Sequence, residues 1–101
     1  MPGKKIYIIS DATGQSGLHI LRAAIVQFEH SRARMMVFHD IDSRVSLKKI
    51  LDQARSDKAL IAFTFVRKTM RDYASDYCLK NDIYHLDILG PLINNLASYL
   101  R

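Results

Sequence analysis

Four apolar runs alternate with four helix-period segments along this chain, and that alternation narrows the possible folds to one kind. The runs over residues 5–10, 34–39, 59–66 and 83–89 read as strands, each followed by apolar residues recurring at helical spacing. Strands separated by single helices must lie parallel, with right-handed crossovers. The first run, Ile6-Tyr7-Ile8-Ile9, has no polar alternation and suits a strand buried on both faces. The third is the most continuous of the four. Placing these two at the centre predicts the order 2-1-3-4 in a four-stranded parallel sheet. The fold class is α/β: a (βα)₄ three-layer sandwich, Rossmann/flavodoxin-like. The fourth run alternates through Tyr84, His85, Leu86 and Asp87, as an edge strand does.

The helical stripes follow from the same spacing. Leu18, Leu21, Ile25 and Phe28 form the first inner face, with His19, Arg22 and Glu29 opposite. Leu47, Ile50, Leu51 and Ala54 form the second, with Asp42 or Ser43 as its N-cap. Met70, Tyr73, Ala74 and Tyr77 form the third. Gly90-Pro91 opens the last helix, with Pro91 in its first position and Leu92, Leu96, Tyr99 and Leu100 facing in.

Composition excludes several classes. A length of 101 residues supports one core, so residues 1–101 are expected to form a single domain. No apolar run has the length of a membrane span, and Met1-Pro2-Gly3-Lys4-Lys5 leads into a strand rather than a signal peptide. The single cysteine, Cys78, forms no internal disulfide; a cytoplasmic setting is expected, with Cys78 as a small core residue. The net charge of +5 is spread over separate pairs with no interleaved aromatics, so nucleic acid is not an expected partner.

In the order 2-1-3-4 the topological switch lies between the first and third strands, where ligands of open α/β sheets bind. Two loops line it. One is Ser10-Asp11-Ala12-Thr13-Gly14-Gln15-Ser16-Gly17, which leads from a strand into a helix. Its glycines allow tight turns, its hydroxyls are neutral donors, and the helix dipole favours an anion. The other, residues 64–69, brings Arg67 and Lys68, which could neutralise a phosphate. Asp11 repels an anion unless a cation or hydroxyl intervenes; it either caps the first helix or binds a ribose hydroxyl. The same residues also serve as a helix cap with no ligand at all.

Other constellations are absent. Gly3, Gly14, Gly17 and Gly90 build neither a Gly-x-x-x-x-Gly-Lys loop nor a Gly-x-Gly-x-x-Gly fingerprint. His19, His30, His39 and His85 show no metal-ligand spacing; His39-Asp40 alone remains as an acid/base pair near the ligand edge.

Four segments carry a family resemblance. Ile6-Tyr7-Ile8-Ile9-Ser10-Asp11-Ala12-Thr13-Gly14 resembles the opening strand and loop of the pyruvate, phosphate dikinase regulatory proteins. Ala23-Ala24 to Gln27-Phe28, residues 58–66, and Asp87-Ile88-Leu89-Gly90-Pro91-Leu92 match the same N-terminal region in order. The resemblance implies a bifunctional regulator that phosphorylates a threonine of the dikinase with ADP as donor and removes that phosphate by phosphorolysis. A related branch acts on phosphoenolpyruvate synthase. It implies a homodimer, and it puts the kinase's own phosphate loop in a second, C-terminal domain that this sequence lacks. This chain is then a regulatory or docking domain without catalytic residues, holding ADP, AMP or phosphate at Ser10, Asp11, Thr13, Gly14, Gln15, Ser16, Gly17, Arg67 and Lys68. Gln15-Ser16-Gly17-Leu18 departs from the family's acidic residue and Thr-Ala-Glu, and Asp40-Ile41-Asp42 also differs.

Three alternatives compete. A flavodoxin-like FMN carrier fits the loop, but a fifth strand and tryptophan are absent and Phe65 is the one aromatic near a rim. A pure dimerisation domain needs no ligand. Phosphorelay domains fail, since Asp11 stands alone and Val66 occupies the acceptor region of a receiver, while Ser10 stands where a phosphocysteine carrier needs cysteine.

Overall fold

A computed structural model describes residues 3–28 and 32–101. Glu29 and His30, like Met1 and Pro2, lie outside the described residues. The elements run β1 (Lys4–Ser10), α1 (Gln15–Ile25), β2 (Ala33–Phe38), α2 (Arg44–Asp57), β3 (Leu60–Thr64), α3 (Lys68–Lys80), β4 (His85–Asp87) and α4 (Leu89–Leu100). All three strand pairings are parallel and the order is β2-β1-β3-β4, as the sequence pattern predicts.

The pleat divides β1 between two cores. Tyr7 and Ile9 face α2 and α3, joining Leu47, Leu51, Ala54, Phe63, Met70 and Cys78. Ile6 and Ile8 face the other way, with Leu21 of α1 and Ala62. The first layer is the thicker, and its helices are tied polar group to polar group. The Tyr77 hydroxyl on α3 donates to Asp52 on α2, and the Arg44 guanidinium lies 5.6 Å from the Tyr73 ring centre. Ser43, one of the two expected caps, accepts from the Ser46 N–H at 3.2 Å and starts α2.

Four expectations are corrected. First, α1 ends at Ile25, so Phe28 lies past the helix and is exposed rather than continuing the stripe. Second, β3 and β4 are shorter than the apolar runs that contain them. Ile83 N–H bonds to the Cys78 carbonyl at 2.9 Å, which spends it on the end of α3 and not on a strand. Third, α4 begins at Leu89 with Ile88 in the N-cap position, and the Asp87 carboxylate just before it accepts from the Gly90 N–H at 2.7 Å and ties down the first turn. Pro91 is therefore the third helical residue, where its missing N–H still has no intrahelical acceptor to lose. Fourth, Leu92, Leu96, Tyr99 and Leu100 are exposed, while Gly90, Ile93 and Ala97 turn toward the sheet. Two rows of α4 are apolar, and the row with the smaller residues is the one that approaches β3.

A buried phenol links sheet and helix. Tyr7 is fully buried, and its hydroxyl donates to Asp57 at the end of α2, which also pairs with Lys5 at 3.4 Å. Burial first, then the Asp57 hydrogen bond and charge, push the Tyr7 hydroxyl up from 10.0 to about 12. Its proton is retained in the folded chain where the unfolded chain has lost it. Stability from this group is therefore whole below about pH 10 and falls as pH rises toward about 12. Tyr7→Phe is expected to remove that alkaline loss. Urea midpoints of both proteins, taken below and inside this window, should converge as pH rises; parallel declines would rule the group out.

Candidate functional site

The carboxyl ends of β1 and β3 meet at the switch point, and three loops are laced together there. The β2–α2 loop donates into the β1–α1 loop, from Asp40 N–H to the Ala12 carbonyl (2.8 Å) and from Ile41 N–H to the Ser10 carbonyl (2.9 Å). Asp40 adopts a left-handed conformation (φ 55°) to do so. The β3–α3 loop joins from the other side, its Val66 N–H donating to the Asp11 carboxylate at 3.0 Å. Asp11 is thus a strap between two loops. It does not cap α1, whose N-cap residue Gly14 makes no side-chain capping bond.

Between these loops lies a small cavity of roughly 160 Å³, lined by Ser10, Asp11, Ala12, Thr13, Gly14 and Ser16 together with Thr64 and Val66. Ile20, Ile88 and Leu89 form its apolar wall. That volume is below the about 300–1,000 Å³ of most small-molecule sites, and is of the scale of one phosphate-sized group. Ser10 Oγ accepts from Ala12 N–H at 3.0 Å and Thr13 Oγ1 from Gln15 N–H at 3.3 Å. Each hydroxyl keeps its own hydrogen for donation. By position, the Ser16 and Gly17 N–H groups have no acceptor within α1, and no acidic residue occupies its first turn. The arrangement offers hydroxyl and amide donors with one carboxylate beside them.

Two glycines make this geometry possible. Gly14 sits at φ +82°, and a Cβ there would stand 2.5 Å from Val37 Cγ1. At Gly17 a Cβ would meet Ile8 Cγ2 at 2.9 Å and Thr64 Cγ2 at 3.4 Å, so a bare backbone lets α1 rest directly on β1 and β3. Gln15 is exposed on the first turn and does not line the cavity.

Arg67 and Lys68 stand apart from the cavity lining. The Arg67 guanidinium donates to the Asp42 carbonyl at 2.7 Å, and Lys68 pairs with Asp72 at 2.7 Å along α3. His39 and Asp40 bond to each other at 2.8 Å in open solvent, outside the cavity. Phe65 is buried on Phe63, with ring centres 5.6 Å apart, and offers no platform at the rim. Cys78 is buried, and burial pushes its thiol up to about 11, which suits the core role. Among the described residues no group of three or more His, Cys, Asp or Glu could hold a metal ion. Among them, too, no helix is long and apolar enough to cross a membrane.

The residue that sequence reasoning passed over is Arg71. It is buried at 7% exposure, donates to the Phe65 carbonyl at 3.4 Å and to the Val66 carbonyl, and lies 3.8 Å from Asp87. It therefore holds the β3–α3 loop against the end of β4. A signal was present: Arg71, Ala74 and Cys78 share one stripe at helical spacing, and a charge on a buried stripe calls for a partner.

A parallel sheet covered by helices on both faces, with its laced loops at the switch point, places the chain in the doubly wound α/β class. The family model described as Kinase/pyrophosphorylase matches residues 6–101, and the chain belongs to that family. Among its curated relatives, a protein of Desulfitobacterium hafniense is 37% identical over 93 residues, covering 92% of this chain and 34% of the relative. One from Lysinibacillus sphaericus is 30% identical over 99 residues, covering 96% and 37%. One from Pediococcus pentosaceus is 37% identical over 96 residues, covering 92% and 35%. All three carry the name pyruvate, phosphate dikinase regulatory protein. The chain spans about a third of the length of these relatives.

Proposed function

We propose that this chain is the N-terminal regulatory domain of a pyruvate, phosphate dikinase regulatory protein, and that its loop 10–17 holds the phosphate of ADP or AMP, or free phosphate. The observation that carries this reading is the phosphate-scale cavity at the switch point, lined by Ser10, Thr13, Gly14 and Ser16. Hydroxyl and helix N-terminal donors there favour an anion. In this reading one phosphate occupies the small cavity and the nucleoside stays outside, over the exposed surface of Thr13 and Gln15. Asp11, half-exposed at the rim, is positioned for a ribose hydroxyl while it holds Val66.

Phosphoryl transfer to a dikinase threonine, with ADP as donor, and its reversal by phosphorolysis belong in this proposal to the remaining two-thirds of such a protein. This chain contributes docking and nucleotide sensing and supplies no catalytic residue. The target is pyruvate, phosphate dikinase, or phosphoenolpyruvate synthase in the related branch. The exposed row Leu92, Leu96 and Leu100 of α4 is the surface assigned to homodimer contact.

Calorimetric titration of the chain with ADP, AMP, phosphate and FMN tests the reading. Saturable heat with an adenine nucleotide or phosphate, and none with FMN, is expected. Silence with every phosphate-bearing ligand would remove the loop from function and leave a docking or dimerisation module. Replacing Arg67 and Lys68 together with alanine is expected to weaken phosphate binding about two- to five-fold at low salt and not at all at high salt, because they act on the cavity only at a distance. A loss that persists at high salt would mean that both side chains leave Asp42 and Asp72 to touch the ligand directly.

A further inference from the structure

A second cavity lies at the opposite end of the sheet, where the strands begin. It measures roughly 700 Å³, within the about 300–1,000 Å³ usual for small-molecule sites. Its floor is apolar, formed by Ile6, Ile25, Leu60 and Ile83. The cause is local: α1 stops at Ile25, and Ala33 and Ala59 bring no bulk to the strand starts, so among the described residues little covers the lower edge where the two cores meet.

The mouth is cationic. Arg55 and Lys58 stand at the C-terminal end of α2, where they offset the negative end of its dipole. Lys5 is neutralised by Asp57 at 3.4 Å, and Asp82 adds one negative charge. Lys4 and Arg32 are different. They come from the strand starts, face no helix end of their own, and have no ion pair among the described residues. An apolar floor beneath cations that have no ion-pair partner among the described residues complements a molecule with an apolar tail and one anionic head.

We propose that this cavity binds a small amphiphilic anion, such as a medium-chain carboxylate, with its tail on Ile6, Ile25, Leu60 and Ile83 and its head between Lys4 and Arg32. The site is independent of the loop 10–17, which lies at the other edge of the sheet. A regulatory domain so built carries a second input remote from the first.

The test is a set of amide chemical-shift titrations of this chain with octanoate, decanoate and dodecanoate, and with decylamine as the charge-reversed control. Decanoate is expected to shift the Leu60 and Ile83 amides saturably, and decylamine to leave them unmoved. Affinity should rise about fourfold for each added methylene if the tail is buried. Lys4→Glu combined with Arg32→Glu, both at exposed positions, should lower decanoate affinity at least tenfold with the urea midpoint retained. The proposal is overturned if no carboxylate shifts these amides, if decylamine binds equally well, or if affinity ignores tail length. The tail-length series uses the parent chain alone, so it still decides the question if the double variant fails to fold.

Discussion

Arg71→Met is expected to cost the domain about 3 kcal/mol, because it strips the partner from two loop carbonyls and the partly buried Asp87 at once. Methionine matches much of the arginine stem in volume, so the loss isolates the guanidinium rather than the packing. Without that group the Phe65 and Val66 carbonyls lose a donor and Asp87 loses its countercharge. A partly buried carboxylate left without its countercharge costs more than the net value of the pair it came from. A domain of this size typically has about 5–15 kcal/mol in hand, so the variant should stay folded with a melting point lowered by about 12–24 °C. Arg71→Lys should recover only part, since one ammonium cannot bridge two carbonyls and a carboxylate as the planar fork does. A differential melting experiment on the three proteins decides it. A shift of under about 1 kcal/mol for Arg71→Met would mean that water serves the carbonyls equally well. Since the Val66 N–H reaches Asp11, the same variant should also loosen the loop 10–17, measured as faster amide exchange at Val66.

Gly14→Val is expected to destabilise the chain by about 2–5 kcal/mol and to abolish phosphate or nucleotide binding. Two costs combine. A β-branched residue at φ +82° carries left-handed strain of about 1–2 kcal/mol, and its Cβ, 2.5 Å from Val37 Cγ1, forces the loop off β2 at an overpacking cost of about 1–3 kcal/mol. Gly14→Ala keeps the collision with less strain. Combining it with Val37→Ala removes the collision and should restore much of the affinity, because the loop then settles back at the switch point. Titration calorimetry beside urea unfolding separates the effects. If Gly14→Ala binds phosphate as the parent does, the loop is not the site, whatever its stability. If Gly14→Ala with Val37→Ala regains stability and not affinity, the glycine matters for something other than loop position.

The candidate site was legible in the sequence to the extent that its cavity is lined by consecutive residues. Ser10, Asp11, Thr13, Gly14 and Ser16 follow one buried strand and precede one helix, and the cavity collects them as that order implies. Residues joined from afar were not legible. Asp11 reads as a cap or a ribose ligand in one dimension; in three it holds the Val66 N–H, 55 positions away. Arg67 and Lys68 read as phosphate ligands because they share a loop, yet nearer acceptors at Asp42 and Asp72 take them. Charged side chains on long stems go to the nearest favourable partner, and sequence spacing does not encode that distance.

The order of residues alone is enough for the class of fold, the strand order and the identity of the central strands. Those rest on hydrophobic periodicity and on the parallel pairing that single-helix crossovers impose. It also placed the loop at the switch point, since that position follows from strand order alone. Packing in three dimensions settles which row of α4 meets the sheet, for Leu92, Leu96 and Leu100 are as apolar as Ile93, and it is Gly90 and Ala97 beside Ile93 that let the backbones approach. It likewise decided that α1 ends at Ile25 and leaves a cavity below it, and that Arg71 is a buried strut. Periodicity reports which residues avoid water; packing decides which of them find a neighbour.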